Sequence, residues 1–150
     1  MVANGNSRQN RPYAIFDLDG TLINCDSLIP FLTTFGMRQR RYLPVVSLPF
    51  YLLLYVFRVT SAKGLKEKLL YSFLQNHTVK TIQQHADWFC ETWVPNKQRP
   101  DTVRRLRDHQ KSGLRVILVS ASPSVYVPKI AKFFGIEEVV CTQAEIEGDR

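Results

Sequence analysis

Asp17 and Asp19 stand one residue apart in the stretch YAIFDLDGTLI, residues 13–23, with Gly20 and Thr21 directly after them. Two carboxylates at i and i+2 on an extended segment can divide labour. One attacks an electrophile covalently while the other, held by its neighbours, gives and then takes a proton. Both bring negative charge to a site that must accept an anion, so a hard divalent cation with oxygen ligands, Mg²⁺ above all, is needed to offset the repulsion. A calcium loop beginning at Asp17 is excluded, because Thr21, Leu22 and Leu28 stand where it needs an acid or amide, a glycine and a glutamate. Two acids that merely capped a turn would leave the apolar run leading into them without a purpose.

That run has to place them. Tyr13, Ala14, Ile15 and Phe16 read as a strand buried on both faces, as inside a parallel sheet, and Gly20 supplies the sharp exit. The acids then lie at the strand's carboxyl end, the edge at which open α/β sheets bind ligands. A second buried run, Val116 to Val119, ends in Ser120 and Ala121. Ser122 and Pro123 read as the N-cap and first residue of a helix whose apolar face is Val127, Ile130, Ala131 and Phe134, closed by Gly135. Val139 to Thr142 is a third short strand, and Asp101 to Ser112 is a polar helix closed by Gly113.

Between the first two strands the pattern is helical from Asp26, read as an N-cap, to about Val94. Leu65, Leu69 and Phe73 form one apolar stripe, and Val79, Ile82, Ala86, Phe89 and Trp93 form another. The organisation expected is a polar tail over residues 1–11, an α/β core from 12–25 and 95–150, and an all-helical insert over 26–94. Within the insert, residues 42–57 (YLPVVSLPFYLLLYVF) carry no charge, with Arg38, Arg40 and Arg41 before and Arg58 and Lys63 after. The segment is short of the roughly 20 residues that span a bilayer, and Pro44 and Pro49 break its first half. A single crossing would also part the first two strands across the membrane. It reads either as a buried helix of the insert or as an interfacial or re-entrant segment that dips into lipid and returns, with basic flanks suited to anionic headgroups.

At 150 residues and 45% apolar composition the chain can bury a core. Its net charge of +7 favours anionic partners. Nucleic acid is not among them, because the basic groups are scattered and not interleaved with aromatics. Cys25, Cys90 and Cys141 form no disulfide framework or metal spacing, and His77, His85 and His109 form no zinc pattern, which points to a reducing, cytoplasmic setting. The amino end carries no hydrophobic signal segment.

YAIFDLDGTL resembles the first motif of the haloacid dehalogenase-like hydrolase superfamily, and VILVSAS resembles its second. The long helical separation is similar to the branch containing phosphoserine phosphatase, where a helical cap lies between these motifs. The resemblance implies a Rossmann-like parallel α/β core with an inserted helical cap, and a Mg²⁺-dependent phosphatase working through an aspartyl-phosphate. It implies Asp17 as nucleophile and metal ligand, Asp19 as general acid/base and part of the metal site, Thr21 orienting Asp19, and Ser120 with the Ala121 amide binding phosphoryl oxygens. The helix following Ser122 would present its amino end to the same group.

A third motif, a lysine, and a fourth, an acidic pair, are implied as well. Lys129 and Lys132 fall too early in order for the former, and EIEGDR at 145–150 lacks the strand and second acid of the latter. The core is therefore expected to be truncated on its C-terminal side. The substrate implied is a small phosphorylated metabolite such as phosphoserine, or a lipid phosphate such as phosphatidylglycerophosphate reached at the inner face of a membrane. The alternative is a non-catalytic fragment or phosphate-binding module.

Overall fold

Three strands, β1 (Tyr13–Asp17), β2 (Arg115–Pro123) and β3 (Glu138–Thr142), pair in parallel in the order β1-β2-β3 in the computed structural model, which describes residues 12–57 and 61–144. The expected tail at 1–11 and the stretch 145–150 lie outside the described residues. Tyr13 faces Arg115 and Asp17 faces Val119 across one pair, and Val119 faces Val140 across the other. The side bearing Phe16, Val116 and Leu118 is buried. The helices α5 (Pro100–Lys111) and α6 (Val127–Phe133) pack on this sheet, contributing Leu106 and Val127, Ile130 and Ala131 to the core. This is the α/β architecture expected.

Two local expectations are corrected. β1 is not buried on both faces among the described residues: Tyr13 and Ile15 are 63% and 59% exposed, on the face of the sheet opposite Phe16, where Val119 of the middle strand β2 is exposed as well. The first helix, α1 (Leu28–Arg38), starts from Ser27. Ser122 and Pro123 do not open α6. They finish β2, where Pro123 pairs with Thr142 beyond an irregularity in the ladder, and the first-turn proline of α6 is Pro128.

Residues 12–26 and 87–144 form one compact unit and 27–86 a second. In the first, the outgoing and returning chains run side by side. Asn24 N–H donates to Lys97 O at 2.9 Å, Arg99 N–H donates to Leu22 O at 2.9 Å, and Ile23 bridges Gln98 antiparallel. Residues 89–97 of this unit make a π-helical turn and then a 3₁₀ turn, with Phe89 stacked on Trp93 at 4.5 Å.

The second unit is helical: α1, α2 (Tyr42–Val56), α3 (Ala62–Leu74) and most of α4 (Val79–Trp88). Phe31, Leu32 and Phe35 of α1, Leu65, Leu69 and Phe73 of α3, and Ile82, His85 and Ala86 of α4 are buried, at the helical spacing that turns one face inward. Gly36 permits the close approach of these helices. A Cβ there would sit 2.9 Å from Val45 Cγ2 and 3.1 Å from the Phe73 ring. Pro44 and Pro49 do not break the apolar segment. Pro44 lies in the first turn of α2, where a missing N–H costs little, and Pro49 is tolerated on an exposed position further along.

His85 is enclosed by the rings of Phe31 and Phe35, with centroids at 5.0 and 5.2 Å, and its Nε2 lies 3.1 Å from the Phe31 carbonyl oxygen. Burial first, then the positive charge of Arg38, disfavours the imidazolium, against the Phe31 hydrogen bond, and the pKa falls to about 4. In the unfolded chain the ring protonates near 6.5. The stability this contributes is thus fully present above about pH 6.5 and is lost as pH falls towards 4, by up to 3 kcal/mol or so, ~1.4 kcal/mol per pH unit. Thermal melts from about pH 7.5 down to about pH 4.5 should register a declining midpoint, and the decline should largely vanish in a folded His85→Gln variant.

Candidate active site

The parallel register decides which side chains share the sheet's carboxyl edge. Asp17 ends β1 opposite Val119, so Ser120, the next residue of β2, lies at the same edge one strand away. Beyond Asp17 the chain turns tightly. The Leu18 carbonyl accepts from the N–H groups of Thr21, Leu22 and Ile23 at 3.3, 3.0 and 3.1 Å. Gly20 sits in this turn with φ +75°, a conformation that disfavours any side chain although nothing lies within 4 Å of where a Cβ would be. An Arg99 guanidinium N–H donates to the Gly20 carbonyl and ties the turn to the returning chain.

Each acid has a different hydroxyl. Thr21 Oγ1 donates to Asp17 Oδ2 at 3.3 Å, which places it on Asp17 and not on Asp19. Asp19 instead accepts from Ser122 Oγ at 2.6 Å, a short charge-assisted bond to a residue 103 positions away. Ser122 N–H in turn donates to Ser120 Oγ at 3.1 Å, so Ser120, Ser122 and Asp19 form a connected chain. Thr142 Oγ1 donates to the Ala121 carbonyl at 2.9 Å, and Ser124 N–H donates to the Thr142 carbonyl at 2.8 Å, which fix the backbone just after Ser120.

Asp17, Asp19, Thr21, Ser120 and Ala121 therefore all lie on two adjacent strand ends and the turns that follow them. Ser122 is the site residue that sequence reasoning misses. A serine before proline signals a helix cap locally, and only the sheet brings it to Asp19. The amino end of α6, which begins at Val127, is separated from Ser122 by the rest of β2 and a turn.

Three further groups of this unit, Cys25, Cys90 and Lys129, are subdued or engaged. Burial pushes the Cys25 thiol up, as it does that of Cys90, to about 12, so neither is an activated nucleophile. Lys129 is paired with Asp87. No group of three or more His, Cys, Asp and Glu side chains gathers as a metal cluster among the described residues. Asp17 and Asp19 nonetheless present the hard oxygens that Mg²⁺ takes, and that ion is commonly held by one or two carboxylates together with water and phosphate oxygens. The donors present fit it.

Known proteins resemble this chain in sequence and in fold. A model of the haloacid dehalogenase-like hydrolases matches residues 14–150. Protein CicA of Caulobacter vibrioides is 33% identical over 134 residues, 89% of this chain and 60% of CicA, so the chain spans about three fifths of that relative's length. Among solved structures, a protein from Bordetella pertussis Tohama I superposes with a TM-score of 0.82 at 24% identity, covering 93% of this chain and 64% of that one. A phosphoserine phosphohydrolase-like protein from Francisella tularensis gives a TM-score of 0.57 at 20% identity, covering 87% and 57% of the two chains. With its parallel sheet, paired acids and matching family model, the chain belongs to the haloacid dehalogenase-like hydrolases.

Proposed function

We propose that this chain carries the nucleophile of a Mg²⁺-dependent phosphomonoesterase. The observation that carries the reading is the pair of carboxylates at one sheet edge, each held by a separate hydroxyl, with Ser120 on the neighbouring strand end. Asp17 attacks phosphorus, forming an acyl-phosphate bond as the ester oxygen departs. Asp19 delivers its proton to that oxygen and then takes one from water, whose oxygen attacks phosphorus and regenerates the Asp17 carboxylate with release of inorganic phosphate. The Ser122 bond keeps Asp19 aimed while its proton comes and goes. Ser120 Oγ and the Ala121 N–H serve the equatorial oxygens, where charge must be held through the transfer. Held by Asp17 and Asp19, Mg²⁺ would neutralise the negative charge that the acids and the phosphate bring together.

The substrate class proposed is a phosphorylated small molecule or the phosphate of a phospholipid, met in the cytoplasm or at the inner face of its membrane. The structural relatives include a phospho-aspartyl intermediate analogue of phosphoserine phosphatase, which supports the covalent route for that protein. Acid quenching of the protein with Mg²⁺ and a radiolabelled phosphomonoester or acetyl phosphate tests it. A label on the peptide bearing Asp17, released by hydroxylamine as acyl phosphates are, is the expected result. Absence of that label with every phosphate donor would overturn the mechanism. Calorimetric binding of inorganic phosphate would then mark the chain as a phosphate-binding module.

A further inference from the structure

The protein's net charge is concentrated in residues 27–86. Residues 27–86 contain eight Lys and Arg, Arg58 among them, against one acid, Glu67. That stretch alone therefore carries +7, the net charge of the whole chain, while the remainder balances twelve basic residues with twelve acidic ones. Such segregation belongs to one unit and not to the protein's composition as a whole.

The same unit contains α2. Leu43, Val46, Phe50, Leu53 and Phe57 recur at alternating steps of three and four, which places them in one narrow stripe along the helix and its end. All five are between 51% and 85% exposed. The stripe is opposite the side that packs: Val45 lies where α2 meets Gly36 of α1, and the Tyr51 hydroxyl is 3.2 Å from Ser72 Oγ of α3. No helix among the described residues is long and apolar enough to cross a membrane, and α2 has 15 residues. An apolar stripe of this length left in water is rare on a protein surface that has no partner.

We infer that α2 is an interfacial docking helix for an anionic lipid bilayer, with Leu43, Val46, Phe50, Leu53 and Phe57 entering the headgroup boundary and the basic residues of its unit facing the anionic headgroups. Charge selects this occupant. A second copy would bring one +7 unit against another, which repulsion opposes, and a purely apolar partner helix would leave the excess charge without a role. A surface that is both apolar below and anionic above matches both features. The inference stands whether or not Asp17 is a nucleophile, since it uses no residue of the hydrolase site.

Flotation of the full chain with phosphatidylcholine vesicles, with and without about a third phosphatidylglycerol, tests it. Binding is expected with the anionic vesicles, and weakening is expected as salt rises from about 0.1 to about 1 M. A Phe50→Gln, Leu53→Gln variant, with helical content unchanged by circular dichroism, should partition at least about tenfold more weakly, on the order of the two lost apolar side chains. As a second readout, Phe50→Trp should gain emission that acyl-brominated lipids quench, over the background of Trp88 and Trp93. Failure to float with anionic vesicles would overturn the proposal. So would flotation or quenching indifferent to positions 50 and 53, or a stripe substitution that dissolves a homodimer in sedimentation while lipid binding stays as it was.

Discussion

Asp17→Asn should lower phosphomonoester turnover by at least about a thousandfold, the loss expected when a covalent nucleophile is removed. The amide keeps the size of the carboxylate and can still accept from Thr21, so the turn around Leu18 should hold and substrate should still bind. What it lacks is the anionic oxygen that, in the proposed mechanism, forms the acyl phosphate. Asp19→Asn should behave differently, because the role proposed for it is proton transfer, worth about a hundredfold to ten-thousandfold. With p-nitrophenyl phosphate, whose phenolate departs without help, the Asp19→Asn protein should still make the aspartyl-phosphate and then retain it, since water lacks its base. Label that accumulates in one variant and never forms in the other separates the two acids. Turnover by the Asp17 variant at the parent rate would sink the assignment.

Phe35→Ala should cost the helical unit about 3 to 5 kcal/mol, the range for emptying a buried phenylalanine site. Phe35 is fully buried, and its ring meets His77 edge-on at 4.9 Å and His85 at 5.2 Å. Its neighbour Gly36 already brings α2 to the limit of approach, so the helices cannot close over the gap by moving further inward. Against a typical domain stability of about 5 to 15 kcal/mol, such a loss leaves little in reserve. A hole beside His85 also admits water to the imidazole, so the pH dependence of stability should flatten along with its magnitude. Urea unfolding followed by circular dichroism measures both. A loss below about 1 kcal/mol would show that the packing around α1 contributes little.

The parts of the fold that are legible in the sequence are those set by local pattern. The apolar runs leading to Asp17 and Ser120 are strands, and Leu65, Leu69 and Phe73 are an inward helical stripe, because periodicity is a property of neighbouring residues. The differences fall where a distant partner decides. Ser122 followed by proline has the local signature of a helix start, yet its hydroxyl is spent on Asp19, across the sheet. Thr21 stands as close to Asp19 in sequence as a partner could. The turn about the Leu18 carbonyl carries it back to Asp17 instead. The composition of β1 suits burial on both faces, but composition cannot say what covers each face of the sheet, and Tyr13, Ile15 and Val119 are exposed together. Pro49 signals a break because its missing N–H is a local fact, whereas its tolerance depends on which side of α2 it occupies.

The backbone ribbon formed by residues 22–24 and 97–99 makes the helical unit an excursion whose two ends are already fastened together. The entropic toll of closing a longer excursion rises only logarithmically, roughly 0.6 kcal/mol per doubling of its length. The carboxylate edge is therefore insulated from the history of what lies between. Segments of different length, charge or greasiness can be exchanged at this point while Asp17, Asp19 and Ser120 keep their places, and the two halves of the molecule can evolve under separate pressures.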